Sequence, residues 1–402
     1  MIQRTNYISL LRKWQKQPLI KVVTGIRRCG KSTLLKMFAD QLRADGVADR
    51  QIIYLNFEDL SNEHLTDYRA MHDYITQRLC NDAYTYIFLD EVQCVKDFQR
   101  AVDSLYVRDN VDIYITGSNA YMLSGDLATL LSGRYVEIPM LPFSFAEYRQ
   151  LDSSVSDDEA FGHYLSTGGF PYVATLADKQ MSDAYLEGIY NTIVVKDVEY
   201  RQTRKPLQSA TDVALIRLLA RYLADVTGNL VSVKSIADYL TINGRKVSPH
   251  TIADYLDALV EAFVLYPADR YDVSGKELLK TNKKYYIVDT GLRRHLVGKR
   301  GYDIGCELEN VVYLQLLRLG YKVFVGKVGT KEIDFVAKRG DVTEYYQVSA
   351  SIVAKETFER ETSSLLAVKD NYPKTILTLD RFTEGNYGGI VVKNVVDWLL
   401  DK

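Results

Sequence analysis

Short apolar runs alternate with helix-forming stretches along the first 150 residues. The run Leu19–Thr24 is apolar and β-branched, which is typical of a buried strand in a parallel sheet. Residues Ser32–Phe38 are helix formers with apolar positions at helical spacing. Two further runs, Tyr86–Leu89 and Val111–Thr116, have the length and composition of strands. This alternation predicts a three-layer α/β domain over residues 1–150.

The segment between the first strand and its helix matches the phosphate-binding pattern G-x-x-x-x-G-K-[ST]. Glycines let backbone N–H groups turn inward around a β-phosphate at a helix N-terminus, where the helix dipole favours negative charge. Lys31 is expected to contact the β- and γ-phosphates, and Ser32 to bind Mg²⁺. A solvated glycine-rich turn is the alternative, which the flanking strand and helix disfavour. The predicted nucleotide-binding residues are Gly25, Ile26, Arg27, Arg28, Cys29, Gly30, Lys31, Ser32 and Thr33.

Two acids, Asp90 and Glu91, directly follow the apolar run Tyr86–Leu89. The carboxyl ends of strands in an open α/β sheet face the crevice in which ligands bind. Asp90 is therefore predicted to hold magnesium through water, and Glu91 to orient and activate the attacking water. Acids also end strands for solubility, so the assignment depends on the phosphate-binding loop about 60 residues earlier.

The next strand leads into Gly117, Ser118 and Asn119. Ser118 or Asn119 stands where a polar side chain would sense the γ-phosphate, and we assign Asn119 a catalytic role; a simple turn is the alternative. Arg134 is the candidate for an arginine that stabilises charge on the transferred phosphate. Many loop arginines are merely solvated, and the sequence does not decide whether Arg134 serves its own nucleotide or that of a neighbouring subunit.

Composition places the chain among ordinary soluble proteins. Its 402 residues allow two or three domains, and a hydrophobic content of 47% is that of a globular chain. A formal net charge of -2 gives no global attraction to nucleic acid or anionic membranes. The four cysteines show no paired spacing, which argues for a reducing compartment. With no signal peptide and no long apolar stretch, we expect a cytoplasmic protein without a membrane partner.

The middle of the chain predicts a helical lid followed by a winged helix-turn-helix. The lid covers residues 151–226 and is interrupted at Thr167–Pro171. Two short helices joined at Asn243-Gly244 and followed by a hairpin predict the winged helix at 227–275. Acidic residues on its second helix disfavour a major-groove contact. Basic residues gather in the segment 276–300, which forms either a solvated or inter-domain surface or a local phosphate-binding face through which DNA would bind; its members are Lys276, Lys280, Lys283, Lys284, Arg293, Arg294, Lys299 and Arg300.

Residues 276–402 resemble the restriction-endonuclease fold in order and spacing of elements. In that fold a helix Glu, a strand Asp and a following D/E-x-K gather magnesium and a base. Glu309 and Asp334 match, but Gln347 and Ser349 stand where the acid and the lysine belong. We therefore expect a catalytically degenerate nuclease-like domain, unless Lys331 supplies the missing lysine.

These motifs together resemble the AAA-type ATPases of bacteria and archaea that carry a C-terminal domain of unknown function. The resemblance implies an α/β P-loop core that binds ATP with Mg²⁺, and it favours ATP over GTP, which no base-reading motif decides. It spans nearly the whole chain. The segments that carry it are Thr24–Ser32, Asn56–Asp59, Phe88–Gln93, Thr116–Asn119, Leu131–Tyr135, Leu141–Tyr148 and Gly168–Pro171.

We expect an ATPase that couples nucleotide state to movement of its C-terminal modules. One alternative is a slow nucleotide-dependent switch that recruits a partner, and a second is an ATP-gated nuclease. The sequence does not decide which partner the protein has. The candidates are DNA, bound through the winged helix and the basic segment, another protein, or a second copy of the chain.

Overall fold

The computed structural model describes residues 2–118, 131, 133–193, 212–298 and 304–402, without the side chains of residues 280 and 281. The chain divides into two compact units. The first comprises the residues up to Pro142 together with Glu261–Phe263, and the second comprises Phe143–Val260 and Val264–Lys402. The first unit thus ends close to the predicted boundary at residue 150.

The described part of the first unit contains a five-stranded, entirely parallel sheet. Because all its strands run in one direction, their carboxyl ends lie at one edge of the sheet. The strands are β1 (Ile20–Thr24), β2 (Ile52–Asn56), β3 (Thr85–Asp90), β4 (Val111–Gly117) and β5 (Tyr135–Pro139), and their spatial order is β2-β3-β4-β1-β5.

Side chains alternate across this sheet and bury both of its faces. Ile87 and Leu89 of β3 join a core with Met71 and Leu105, which lie on two helices of the first unit. Phe88, between them, contacts Phe38 and Tyr114 on the other face. The helices of this unit are α1 (Thr5–Trp14), α2 (Lys31–Ala44), α3 (Tyr68–Thr76) and α4 (Phe98–Tyr106). Helices on both faces of a parallel sheet confirm the α/β prediction for the ATPase core.

In the described residues of the second unit, nine strands form one mixed sheet in the order β13-β14-β12-β11-β10-β9-β7-β8-β6. The predicted boundary between residues 275 and 276 falls in the turn between β7 and β8. This boundary needs correction, because β7 pairs with β8 on one side and with β9 on the other, so that the sheet is continuous. The strands are β6 (Leu230–Val231), β7 (Leu265–Asp272), β8 (Glu277–Ile287), β9 (Lys322–Val328), β10 (Lys331–Arg339), β11 (Val342–Ser349), β12 (Lys374–Thr378), β13 (Gly385–Tyr387) and β14 (Ile390–Asn394).

The helices of the predicted lid do not stand apart from the rest of the second unit. Helix α11, from the predicted C-terminal domain, packs against α6, α7 and α8. In the described ranges, no helix is long and apolar enough to cross a membrane. The helices are α5 (Phe145–Tyr148), α6 (Asp157–Thr167), α7 (Lys179–Thr192), α8 (Val213–Asp225), α9 (Val233–Ile242), α10 (Pro249–Glu261), α11 (Thr290–Val297), α12 (Ile304–Arg318), α13 (Lys355–Leu366) and α14 (Val395–Leu399).

A buried carboxylate explains the glycines that interrupt the lid sequence. Asp289 accepts hydrogen bonds from the Gly169 N–H at 2.5 Å and from the Leu292 N–H at 2.8 Å, and it caps α11. A Cβ on Gly168 would lie 2.2 Å from Asp289 Oδ1, and one on Gly169 would lie 2.4 Å from the Phe143 carbonyl oxygen. Only glycine permits this approach. Burial raises the pKa of Asp289 to about 6, against the opposing effect of its N–H donors.

We predict that Asp289 makes the second unit more stable at pH 5 than at pH 7. Its folded pKa of about 6 lies above its ordinary value of 3.8, so the folded state binds the proton more tightly. The resulting stabilisation is complete below the unfolded pKa and is lost as the pH rises through the folded pKa. In urea unfolding, the free energy of unfolding of the wild type should gain about 1 kcal/mol between pH 7 and pH 5 relative to Asp289→Asn.

The exposed carboxylate Asp341 provides the control for this measurement. Asp341→Asn should follow the wild type at both pH values. An equal pH response of wild type and Asp289→Asn would show that Asp289 does not titrate differently in the folded protein.

Candidate nucleotide-binding site

The phosphate-binding loop joins the end of β1 to the start of α2. Its backbone requires glycine at both ends: Gly25 has φ +145° and Gly30 has φ +103°. A Cβ on Gly25 would also lie 2.1 Å from the Met140 carbonyl oxygen. The loop is therefore packed closely against the residues that follow β5.

The Lys31 side chain lies inside this loop. Its ammonium donates to the carbonyl oxygens of Gly25 at 2.9 Å and Ile26 at 3.1 Å. The nearest oxygen of Glu91 lies 4.0 Å from the Lys31 Nζ. The structure thus brings Lys31 of the loop close to Glu91, which directly follows β3. The sequence predicts this proximity for a nucleotide-binding site.

Asp90 is fully buried and is held by three hydroxyl groups. Its Oδ1 accepts from Ser32 Oγ at 3.0 Å and from Thr116 Oγ1 at 2.7 Å, and its Oδ2 accepts from Tyr54 at 3.1 Å. Burial, together with the charge of Asp90, raises the pKa of Tyr54, which keeps this hydroxyl protonated as a donor. Neither Tyr54 nor Thr116 was predicted to hold Asp90, because their roles depend on strand order.

Glu91 is buried in a strained backbone conformation, with φ +53°. Its Oε2 accepts hydrogen bonds from Gln93 Nε2 at 2.5 Å and from Ser118 Oγ at 3.2 Å. Its N–H donates to Thr116 Oγ1 at 2.8 Å. Backbone strain of this kind is concentrated at functional sites. Asn119, the other predicted γ-phosphate sensor, lies outside the described residues.

Arg134 lies at the wrong edge of the sheet to serve this loop. It precedes β5, whose first residue, Tyr135, pairs with Ile20 at the amino end of β1. The loop follows the opposite end of β1, about 13 Å away along the strand. Arg134 instead forms an ion pair with Asp103 of α4. Of the two alternatives left open for Arg134, this register disfavours a role at the nucleotide of its own chain.

The nuclease-like acids of the second unit surround a lysine. The Lys284 Nζ lies 3.1 Å from Glu309 Oε1 and 2.8 Å from Glu332 Oε1. Burial disfavours its ammonium, but the charges of Glu309, Asp334 and Glu332 outweigh burial and raise the pKa of Lys284. Burial and the charge of Glu309 hold the pKa of Asp334 well above its usual value. Gln347 Oε1 accepts the Asp334 N–H at 3.3 Å.

Among the basic residues of the segment 276–300, Lys284, Arg293 and Arg294 are engaged within the second unit. Lys284 and Arg293 are buried, and Arg293 donates to the Ala224 carbonyl oxygen. Arg294 binds Glu307 through two hydrogen bonds of 2.7 Å. These cations neutralise acids of the same unit. Lys299, Arg300 and the side chain of Lys280 lie outside the part of the chain that the structure describes. Within the described part, no group of three or more His, Cys, Asp or Glu side chains is arranged to hold a metal ion.

We predict that Lys284→Met destabilises the second unit by about 3 kcal/mol, because it leaves buried carboxylates without their cation. The neighbouring Lys283 forms an exposed ion pair with Asp269 at 2.9 Å. Lys283→Met is therefore the matched control, with an expected loss below about 1 kcal/mol. Urea unfolding of both variants checks this, and equal stability would mean that Lys284 does not neutralise the cluster.

Residues 17–149 match the model of the AAA domain, and residues 158–303 match the Domain of unknown function (DUF8612). An uncharacterized protein of Haemophilus influenzae is 42% identical over 405 residues, covering 100% of this chain and 99% of the relative. One from Methanocaldococcus jannaschii is 27% identical, covering 79% and 71%. A Walker-type ATPase of Pyrococcus abyssi is a structural neighbour with a TM-score of 0.49 and 16% identity, covering 74% and 96%. The chain belongs to the family of the Haemophilus influenzae protein, and its first unit carries a P-loop AAA ATPase domain.

Proposed function

We propose that the protein binds ATP with Mg²⁺ at the loop Gly25–Ser32 and hydrolyses the γ-phosphate. The observation that carries this proposal is the 3.0 Å hydrogen bond from the Ser32 hydroxyl to Asp90 Oδ1. It joins the end of the phosphate-binding loop to the acid pair at the end of β3. Metal, water and phosphate have to meet at such a junction in phosphoryl transfer.

The side chains at this junction fit a magnesium ion. Ser32 and Asp90 offer hydroxyl and carboxylate oxygens, which are the ligands that Mg²⁺ prefers. When bound, the ion would neutralise charge on the β- and γ-phosphates. Lys31 adds a fixed positive charge, and Glu91 orients the attacking water and accepts its proton.

The hydrogen bonds on Glu91 favour slow basal turnover. Gln93 and Ser118 both donate to its Oε2, so these donors compete with an attacking water for that oxygen. This observation supports the second candidate function, a nucleotide-dependent switch that recruits a partner. A partner that released Glu91 from these donors would accelerate hydrolysis.

The second unit provides the surface for such a partner. The order α8-β6-α9-α10-β7-β8, with β6 antiparallel to β8, supports a winged helix within the larger sheet. Since Lys284, Arg293 and Arg294 neutralise internal acids, the remaining surface favours a protein partner over DNA. Arg134 would contribute to hydrolysis only from a neighbouring subunit.

We predict that Glu91→Gln lowers steady-state phosphate release by about 100-fold, because the amide cannot accept the proton of water. Binding of ATP should persist, since the amide retains the size of the side chain. Lys31→Ala should instead abolish binding, because it removes the charge that contacts the phosphates. Phosphate release and ATP binding are measured for each variant with and without single- and double-stranded DNA.

The exposed Glu63 supplies the control, and Glu63→Gln should turn over ATP like the wild type. Turnover that rises with DNA would overturn the preference for a protein partner. Tight ATP binding with negligible turnover under every condition would support the second candidate function, the nucleotide-dependent switch. Equal turnover of Glu91→Gln and wild type would remove Glu91 from catalysis.

We expect no magnesium-dependent cleavage of nucleic acid by the second unit, because Lys284 lies among the acids where a metal would have to bind. The assay supplies Mg²⁺ or Mn²⁺, with and without ATP, and single- and double-stranded DNA and RNA. Cleavage that Asp334→Ala abolishes while ATP hydrolysis survives would establish the ATP-gated nuclease instead.

A further inference from the structure

A nearly buried arginine lies behind the phosphate-binding loop. Arg4 directly precedes α1 and is 3% exposed. Its Nη1 donates to the Cys29 carbonyl oxygen at 3.2 Å, and its Nη2 donates to the Leu141 carbonyl oxygen at 2.8 Å. The guanidinium also lies 4.8 Å from the ring centroid of Tyr7. One side chain therefore bridges the middle of the loop and the segment after β5.

The first of these hydrogen bonds fixes a peptide plane inside the loop. In a planar trans peptide, the carbonyl of one residue and the N–H of the next point in opposite directions. When Arg4 holds the Cys29 carbonyl, the Gly30 N–H has to point away from Arg4. A loop of this type binds phosphate through its backbone N–H groups, so the direction of this peptide matters for affinity.

The second hydrogen bond attaches Arg4 to a segment that already limits the loop. The Met140 N–H donates to the Thr24 carbonyl oxygen at 2.7 Å, and the Met140 carbonyl oxygen lies where a side chain on Gly25 would be. The Leu141 N–H donates to the Tyr7 hydroxyl at 3.1 Å. Arg4 thus holds the loop against a segment that is itself fixed by hydrogen bonds at Met140 and Leu141.

A buried guanidinium also supplies charge at this position. Its positive charge, like that of Lys31, favours the thiolate of Cys29, although burial outweighs both and raises the pKa of that thiol. A cation close enough to act on Cys29 also favours the negative charge of a phosphate group in the same loop.

We infer that Arg4 is a positioning residue for the phosphate-binding loop and sets its affinity for nucleotides that carry a β-phosphate. This inference rests on the proposed nucleotide-binding function. Arg4 does not contact the reacting atoms, so it acts on nucleotide affinity and leaves the chemical step unchanged. Its two hydrogen bonds and its charge make separate contributions.

Arg4→Gln and Arg4→Lys test this inference in the full-length protein. Fluorescent ADP and ATP are titrated with Mg²⁺, and steady-state phosphate release gives KM and kcat. Arg4→Gln should weaken binding of both nucleotides about tenfold, as expected for the loss of a charged hydrogen-bond donor. KM should rise by a similar factor, while kcat stays within about twofold. Arg4→Lys retains the charge, and its affinity should fall between those of Arg4→Gln and wild type.

Two variants of α1 serve as controls. Arg12 joins α1 to α2 through Asp45 at 2.6 Å and does not touch the loop, so Arg12→Gln should bind nucleotide like the wild type. Tyr7→Phe removes the acceptor of the Leu141 N–H and leaves the Cys29 bond in place. Its affinity should stay within about twofold of wild type. Thermal unfolding without nucleotide reports the structural effect of each variant.

The outcomes separate the inference from the function on which it rests. If the wild type binds neither ADP nor ATP, the proposed function fails before any variant is compared. If the wild type binds and folded Arg4→Gln binds equally well, the inference is overturned. It is also overturned if Arg12→Gln weakens binding as much as Arg4→Gln. Should Arg4→Gln not fold, Arg4→Lys decides, since unchanged affinity there would contradict a need for both hydrogen bonds.

Discussion

The buried carboxylate of Asp90 is the point on which the first unit depends. A charge removed from water needs hydrogen-bond partners, and Asp90 takes them from α2, β2 and β4. Ser32 at the start of α2 is one of them, so the phosphate-binding loop is held at a fixed position relative to β3. Thr116 also accepts the Glu91 N–H, and both acids therefore keep their orientation through one hydroxyl.

The acid cluster of the second unit meets the same constraint in a different way. Hydroxyl donors around Asp90 satisfy its oxygens but leave its negative charge, which suits a site that has to attract a cation. Around Glu309, Glu332 and Asp334 the protein provides the cation itself, as the ammonium of Lys284. Two groups of carboxylates in one chain therefore differ in what they can bind. This difference supports the proposal that Mg²⁺ binds beside Ser32 and Asp90.

The ATPase core could be predicted from sequence because its motifs are local. Features that depend on pairing between distant strands could not be predicted. The loop and the pair Asp90-Glu91 are contiguous stretches whose chemistry follows from their order. The positions of Lys284 and Arg134 depend instead on strand register: β8 brings Lys284 to acids of other elements, and β5 places Arg134 at the far edge of the sheet. Gly168-Gly169 was recognised as an interruption, but its cause, the buried Asp289, is distant in sequence.

The segment of chain that ends the first unit, Met140–Pro142, lies directly behind the nucleotide-binding loop. Met140 packs against Gly25, and the first unit ends at Pro142, next to the Leu141 carbonyl that Arg4 holds. A bound phosphate that shifted the loop would therefore strain the same short segment that leads into the second unit. A packed support transmits such a shift more readily than a solvated linker, because close-packed interiors resist compression. The short segment after β5 therefore joins the phosphate-binding loop to the end of the first unit.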